Sequence, residues 1–118
     1  MIVALFFAVA VSGDWTGTST CTDLKVLPGC HDEVALYHFT PKGQNTVHLV
    51  ADKVIDGKPE FMGEFDMTQA GKRLYHEMDG RQGKVLWELF VEGDHITGTA
   101  RFVAGDKVFR KIDVRRKP

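Results

Sequence analysis

Two cysteines and a neighbouring histidine form the tightest group of residues with specific chemistry in this chain. Cys21 and Cys30 enclose a short loop, and His31 follows directly. Zinc prefers four ligands that often come in closely spaced cysteine pairs, and the 2 cysteines here leave no second pair. The spacing therefore favours a disulfide between Cys21 and Cys30, as suits an oxidising compartment; a metal site and free thiols are the alternatives.

The 5 histidines are the other candidates for chemistry. They are scattered, and only His38 and His48 fall on what we predict to be adjacent strands, where they could be cross-strand neighbours. No nucleophile–histidine–acid arrangement and no phosphate-binding glycine loop is recognisable. We therefore expect a non-catalytic protein without a metal or cofactor. An enzyme ranks below the two non-catalytic functions described at the end of this section.

Length and charge narrow the class of protein. A chain of 118 residues is enough for one domain with one apolar core. The 15 basic residues against 16 acidic ones give a net charge of −1, whereas a nucleic-acid-binding domain usually carries a clear basic excess. We expect no nucleic-acid partner, and the sequence does not predict the oligomeric state.

The amino terminus has the pattern of an export signal. Residues 2–11 are all apolar, which is too short for a membrane span of ~20 residues but suits the apolar centre of a signal peptide. No basic residue precedes the run, and a buried first strand is the alternative. We predict a signal-like segment over 1–13, with cleavage after Ala10 or Gly13, and a secreted or periplasmic protein without an integral membrane span.

The remainder, 14–118, reads as short strands separated by glycine-containing turns. Turns such as Asp56-Gly57 and Gly93-Asp94 are too short for the crossover that parallel neighbours require. We therefore predict an all-β fold: an eight-stranded antiparallel up-and-down barrel, which leaves no sheet edge exposed. The predicted strands are 14–21, 33–40, 46–55, 60–68, 73–78, 84–92, 95–103 and 107–115.

Alternation along these strands predicts which side chains point inward. Phe61, Gly63 and Phe65 share one parity, and three inward glycines (Gly17, Gly63 and Gly98) would leave room inside the barrel. Loops 22–32, 56–59, 79–83 and 104–107 should gather at one mouth. The predicted inward set is Trp15, Tyr37, Phe39, Val47, Leu49, Phe61, Phe65, Leu74, Trp87, Leu89, Ile96, Phe102, Ile112 and Val114.

The first strand carries a Gly13-Asp14-Trp15 triplet. A Gly-x-Trp that opens an eight-stranded barrel resembles the lipocalin (calycin) superfamily, in which a basic residue near the end of the last strand packs across the tryptophan. The resemblance implies that Trp15 and Arg116 form the barrel floor and that the protein is a small secreted bacterial β-barrel. The chain lacks the carboxy-terminal helix of that family.

Two function classes follow. In the first, the barrel binds a small, largely apolar molecule through its mouth, with Tyr37, Phe61, Gly63, Trp87 and His31 as ligand-binding residues. In the second, aromatic side chains fill the interior, and the outer surface acts as an inhibitor or adhesion module that binds protein. The volume of the interior discriminates between them, because a continuous cavity of about 300 Å³ or more favours a ligand.

Overall fold

A computed structural model describes residues 11–118, and eight antiparallel strands account for most of them. Each strand pairs with its neighbour in the sequence, and β1 also pairs with β8, so the sheet closes into a barrel. This confirms the predicted fold class. The strands are β1 (Gly13–Cys21), β2 (Glu33–Pro41), β3 (Thr46–Ile55), β4 (Lys58–Ala70), β5 (Arg73–Gly80), β6 (Gly83–Glu92), β7 (His95–Phe102) and β8 (Lys107–Arg116).

Tight turns dictate this topology. Gly57, Gly71 and Gly93 take positive φ angles of 77°, 61° and 61° in the turns after β3, β4 and β6. Glycine adopts this conformation without the steric penalty of a side chain, so each strand can reverse directly into an antiparallel neighbour. A one-turn 3-10 helix, Ala104–Asp106, makes the last connection before β8.

Most of the predicted inward residues form the core, but Phe61 does not. Ala51 of β3 pairs with Gly63, whereas the next residue, Asp52, pairs with Phe61, so Met62 is the extra residue of a β-bulge. Because of this extra residue, Phe61 lies on the opposite face of the sheet from Gly63 and Phe65. Phe61 is consequently 61% exposed on the outer surface, and the inward prediction for it was wrong.

Two of the three inward glycines also have a role other than the predicted one. A Cβ atom on Gly17 would lie 2.1 Å from the carbonyl oxygen of Asp113, and one on Gly98 would lie 2.2 Å from that of Glu88. These glycines let neighbouring strands approach closely and leave no room inside the barrel. Of these three glycines, only Gly63 has open space for a side chain, because a Cβ there would meet no heavy atom within 4 Å.

The closed end of the barrel is built around Trp15. Its ring is fully buried, and its Nε1 donates a hydrogen bond of 2.9 Å to the carbonyl oxygen of Val11. The guanidinium carbon of Arg116 lies 4.5 Å from the ring centroid, and its Nη1 donates to the carbonyl of Ser12 at 2.7 Å.

Residues 1–10 of the predicted signal-like segment lie outside the described residues. Val11 is buried in the core, so cleavage after Gly13 would remove part of the floor.

The wall of the barrel is incomplete between β4 and β5. Within residues 11–118, these strands pair only at Thr68–Tyr75, Gln69–Leu74 and Ala70–Arg73, next to their turn. Both strands continue well beyond this short ladder, β4 back to Lys58 and β5 on to Gly80. We call the resulting gap, bordered by residues 63–67 and 76–80, the β4–β5 seam.

The floor gives a first prediction. Trp15→Ala should reduce the free energy of unfolding by about 3–5 kcal/mol, because a large buried ring is lost. Arg116→Ala should cost about 1 kcal/mol through the lost cation–π contact. Chemical denaturation of both single variants and the double variant would measure their coupling, and simple addition of the two losses would contradict the floor assignment.

Candidate functional site: a cavity inside the barrel

A cavity of about 400 Å³ lies inside the barrel beside the β4–β5 seam. It is bounded by the inner faces of β2, β3 and β6 and by residues on both sides of the seam. Its size falls within the range of small-molecule sites, which are clefts of about 300–1,000 Å³. The lining residues are Glu33, Tyr37, Leu49, Ala51, Met62, Gly63, Glu64, Phe65, Met78, Trp87 and Arg110.

Aromatic rings form one wall of the cavity. The ring of Phe65 lies 6.1 Å from that of Trp87, and it stacks on the imidazole of His76 at 4.4 Å, with 15° between the planes. The Phe65–His76 stack spans the seam from β4 to β5. Flat rings and the flexible thioether of Met78 together offer a surface that suits an apolar molecule.

Arg110 forms the polar end of the cavity. Its side chain is only 11% exposed, and its guanidinium donates to the hydroxyl of Ser19 at 2.9 Å and to Glu33 at 3.4 Å. A third bond of 3.1 Å reaches the carbonyl oxygen of His31, and the sulfur of Cys30 lies at 3.0 Å. Arg110 thus holds the start of β2 and the disulfide loop in place while its charge is compensated by Glu33.

Tyr37 lies deep in the same region and is 2% exposed. Burial raises the pKa of Tyr37 to about 12, although its hydrogen bond with Ser19 acts in the opposite direction. The phenol therefore stays protonated at neutral pH, where it can serve as a hydrogen-bonding group but not as an anion.

Three of the five predicted ligand-binding residues, Tyr37, Gly63 and Trp87, line the cavity. Phe61 lies outside because of the bulge at Met62. His31 lies elsewhere too: it borders a groove of about 640 Å³ between the disulfide loop and the ends of β2 and β3. The predicted disulfide between Cys21 and Cys30 is confirmed and anchors this loop.

Arg110 was not among the residues predicted from the sequence to bind a ligand. The sequence does indicate its position: Arg110 lies on the same face of the last strand as Ile112 and Val114, both of which point inward. A charged residue at an inward position should have been expected to have a buried partner. Its partner, Glu33, comes from the first position of β2.

The outer surface carries two histidines that bridge carboxylates. Both ring nitrogens of His38 contact acids, Asp14 at 2.8 Å and Asp52 at 3.0 Å. His48 is placed in the same way between Asp66 at 2.7 Å and Glu64 at 2.8 Å. Since a carboxylate only accepts hydrogen bonds, these contacts favour imidazolium, and they raise the pKa of both histidines.

These histidines do not assemble a metal site. In the described range 11–118, no group of three or more histidine, cysteine or acidic side chains is arranged to hold a metal ion. The acids around each histidine bind opposite sides of the ring, so their oxygens do not converge on one point. Nor does any helix in this range have the length and apolarity to cross a membrane.

Comparison with known proteins adds information on the fold alone. No protein-family model matches the chain, and no curated protein matches it in sequence. Among solved structures, a redesigned β-barrel superposes with a TM-score of 0.67 over 94% of this chain and 95% of its own length. The two chains are 18% identical, so the likeness is one of architecture.

Removal of Arg110 tests the polar end of the cavity. Arg110→Met should lower the free energy of unfolding by about 3 kcal/mol, because Glu33 is left as a buried charge without its cation. The double variant Arg110→Met/Glu33→Gln should recover a large part of that loss. Urea denaturation at neutral pH measures both, and equal instability of the single and double variants would contradict the pairing.

The bridging histidines predict a pH dependence. The folded protein has raised histidine pKa values relative to the unfolded chain, for which the reference is 6.5. Their stabilising contribution is complete below that value and is lost as the pH rises through the folded-state pKa. The melting temperature of the wild type should therefore decrease from about pH 6 upward, and the His38→Gln/His48→Gln variant should show a flatter profile. Identical slopes for the two proteins would refute this assignment.

Proposed function

We propose that this protein is a lipocalin-like barrel that binds a small, largely apolar molecule in the cavity beside Gly63, without catalysis. The observation that carries the proposal is the cavity of about 400 Å³ itself, because a barrel of this size can instead fill its interior with side chains. The cavity combines aromatic and thioether walls with a polar end at Arg110 and Glu33, and Glu64 borders it at the seam. Binding sites for small molecules commonly have this composition.

The ligand chemistry follows from the lining. The apolar body would lie against Phe65, Trp87 and Met78, and a hydrogen-bonding group would face Arg110. Since Glu33 already compensates the charge of Arg110, a neutral polar group fits this end better than an anion. The disulfide and the apolar leader pattern support a secreted or periplasmic location for this function.

The second candidate is a protein-binding module, such as an inhibitor or adhesion domain. It is favoured by apolar side chains on the outer surface, since Phe61 and Val34 are 61% and 50% exposed near one end of β2 and β4. Exposed apolar groups that lie together can mark an interaction site. This candidate does not require the interior cavity.

Gly63→Leu separates the two candidates. The leucine side chain would extend into open space, so the free energy of unfolding should stay the same or rise, while the cavity loses volume. Affinity for N-phenyl-1-naphthylamine, a neutral aromatic dye whose fluorescence increases in apolar sites, should fall by at least about tenfold. Thermal unfolding and dye titration measure the two effects.

Two controls accompany this variant. Gly98→Ala should destabilise the barrel, because its methyl group would overlap the backbone of Glu88. Phe61→Leu changes the outer surface only and should leave dye affinity unchanged. A loss of about 1–3 kcal/mol in Gly63→Leu would mean that the interior is already packed. Dye binding that depends on Phe61 and not on Gly63 would favour the protein-binding module.

A further inference from the structure

The β4–β5 seam exposes backbone groups that a complete barrel would pair. Gln69 of β4 donates its backbone N–H to Asn45 at 2.8 Å, so its polar groups are directed towards β3. In an antiparallel strand, successive residues direct their backbone groups to alternate sides. Glu64 and Asp66 therefore direct their N–H and C=O groups into the seam, where nothing within residues 11–118 pairs with them.

Strand β5, on the other side of the seam, also exposes unpaired backbone groups. Val91 of β6 donates its N–H to Lys72 at 2.8 Å, which fixes the alternation along β5. His76 and Met78 bond towards β6, and Glu77 and Asp79 direct their backbone groups towards β4. Each side of the seam thus offers two residues with unused strand-pairing capacity in the described part of the chain.

The side chains of these four residues are all acidic. If the Thr68–Tyr75 register continued, Asp66 would face Glu77, and Glu64 would face Asp79. Like charges directly opposite each other destabilise a β-ladder. Three cations contact these carboxylates: Lys42 and Lys84 at 2.9 to 3.6 Å, and His48 at 2.7 and 2.8 Å. These contacts lie at the surface, where such pairs contribute little, and the carboxylates still outnumber the cations.

We propose that the β4–β5 seam is a docking site for an extended peptide segment with basic residues at alternate positions. The segment would add as a strand to the exposed edge, with its backbone bonded to Glu64 and Asp66 or to Glu77 and Asp79. Its basic side chains would lie on the outer surface beside the four carboxylates. The alternate side chains would point inward over Phe65, His76 and Met78, where apolar residues fit.

This assignment is independent of the ligand-binding proposal, because it rests on the strand edges and not on the cavity volume. Charge complementarity identifies the partner: four carboxylates border the seam against three cations, Lys42, His48 and Lys84. The remaining negative charge attracts a basic segment and repels an acidic one. Backbone complementarity requires the partner to be extended, since only a strand can pair with a strand edge.

The experiment uses the peptide Lys-Val-Lys-Val-Lys-Val-Lys, labelled with a fluorophore and titrated with the protein by anisotropy. Amide hydrogen exchange followed by NMR should show slowing on at least one edge of the seam, at Glu64 and Asp66 or at Glu77 and Asp79. A Glu-Val peptide of the same pattern and a Lys-Val peptide with every second backbone amide methylated should bind at least about tenfold more weakly.

Glu77→Lys places an opposite charge across from Asp66 and should weaken peptide binding by at least about fivefold. Glu92→Lys is the matched control, because Glu92 is exposed on β6 and pairs with Lys72, away from the seam. Equal affinity for all three peptides, an equal loss in the two variants, or seam amides whose exchange does not change on peptide addition would each overturn the assignment.

Discussion

Asp66 and Glu77 would face each other across β4 and β5 if their ladder continued beyond Thr68 and Tyr75. Like charges at opposite positions, here and at Glu64 with Asp79, disfavour a continuous ladder, and the observed ladder is confined to the residues next to the turn. The inward side chains respond accordingly: Phe65 and His76 stack across the gap in place of backbone pairing. The cavity lies directly behind this point, so the gap in the wall gives access to the interior.

The floor of the barrel, at the opposite end, is closed and tightly packed. Trp15 is fully buried, Arg116 lies across its ring, and Val11 accepts the indole hydrogen bond. Gly17 allows β1 and β8 to approach so closely that no side chain could be added there. The well-packed floor offsets the short β4–β5 ladder, because the pairing of β1 with β8 still closes the barrel.

The sequence predicted the topology because the turn residues and strand lengths leave few alternatives. It did not predict the bulge at Met62, since Phe61, Gly63 and Phe65 continue an unbroken alternation and nothing in the pattern marks an extra residue. Glycines were ambiguous for a similar reason. An inward glycine can border an empty space, as at Gly63, or allow a close approach of strands, as at Gly98. The distances between strands, which distinguish these two roles, are known only from the structure.

The site was predicted in part. Tyr37 and Trp87 were found from alternation, whereas Arg110 required the further step of asking what a charged residue does at an inward position. The seam was not predicted, although the sequence shows acids at 64, 66, 77 and 79, which oppose each other once the β4–β5 turn is fixed. Cross-strand charge pairs can be examined only after the register is known.

Amide hydrogen exchange of the free protein tests the open seam most directly. We expect fast exchange at Glu64, Asp66, Glu77 and Asp79, whose N–H groups face the gap. The interleaved residues Phe65, Met67, His76 and Met78 bond to β3 or β6 and should exchange slowly. An alternating pattern of fast and slow amides along both strands would support an open seam, and uniform protection of all eight amides would contradict it.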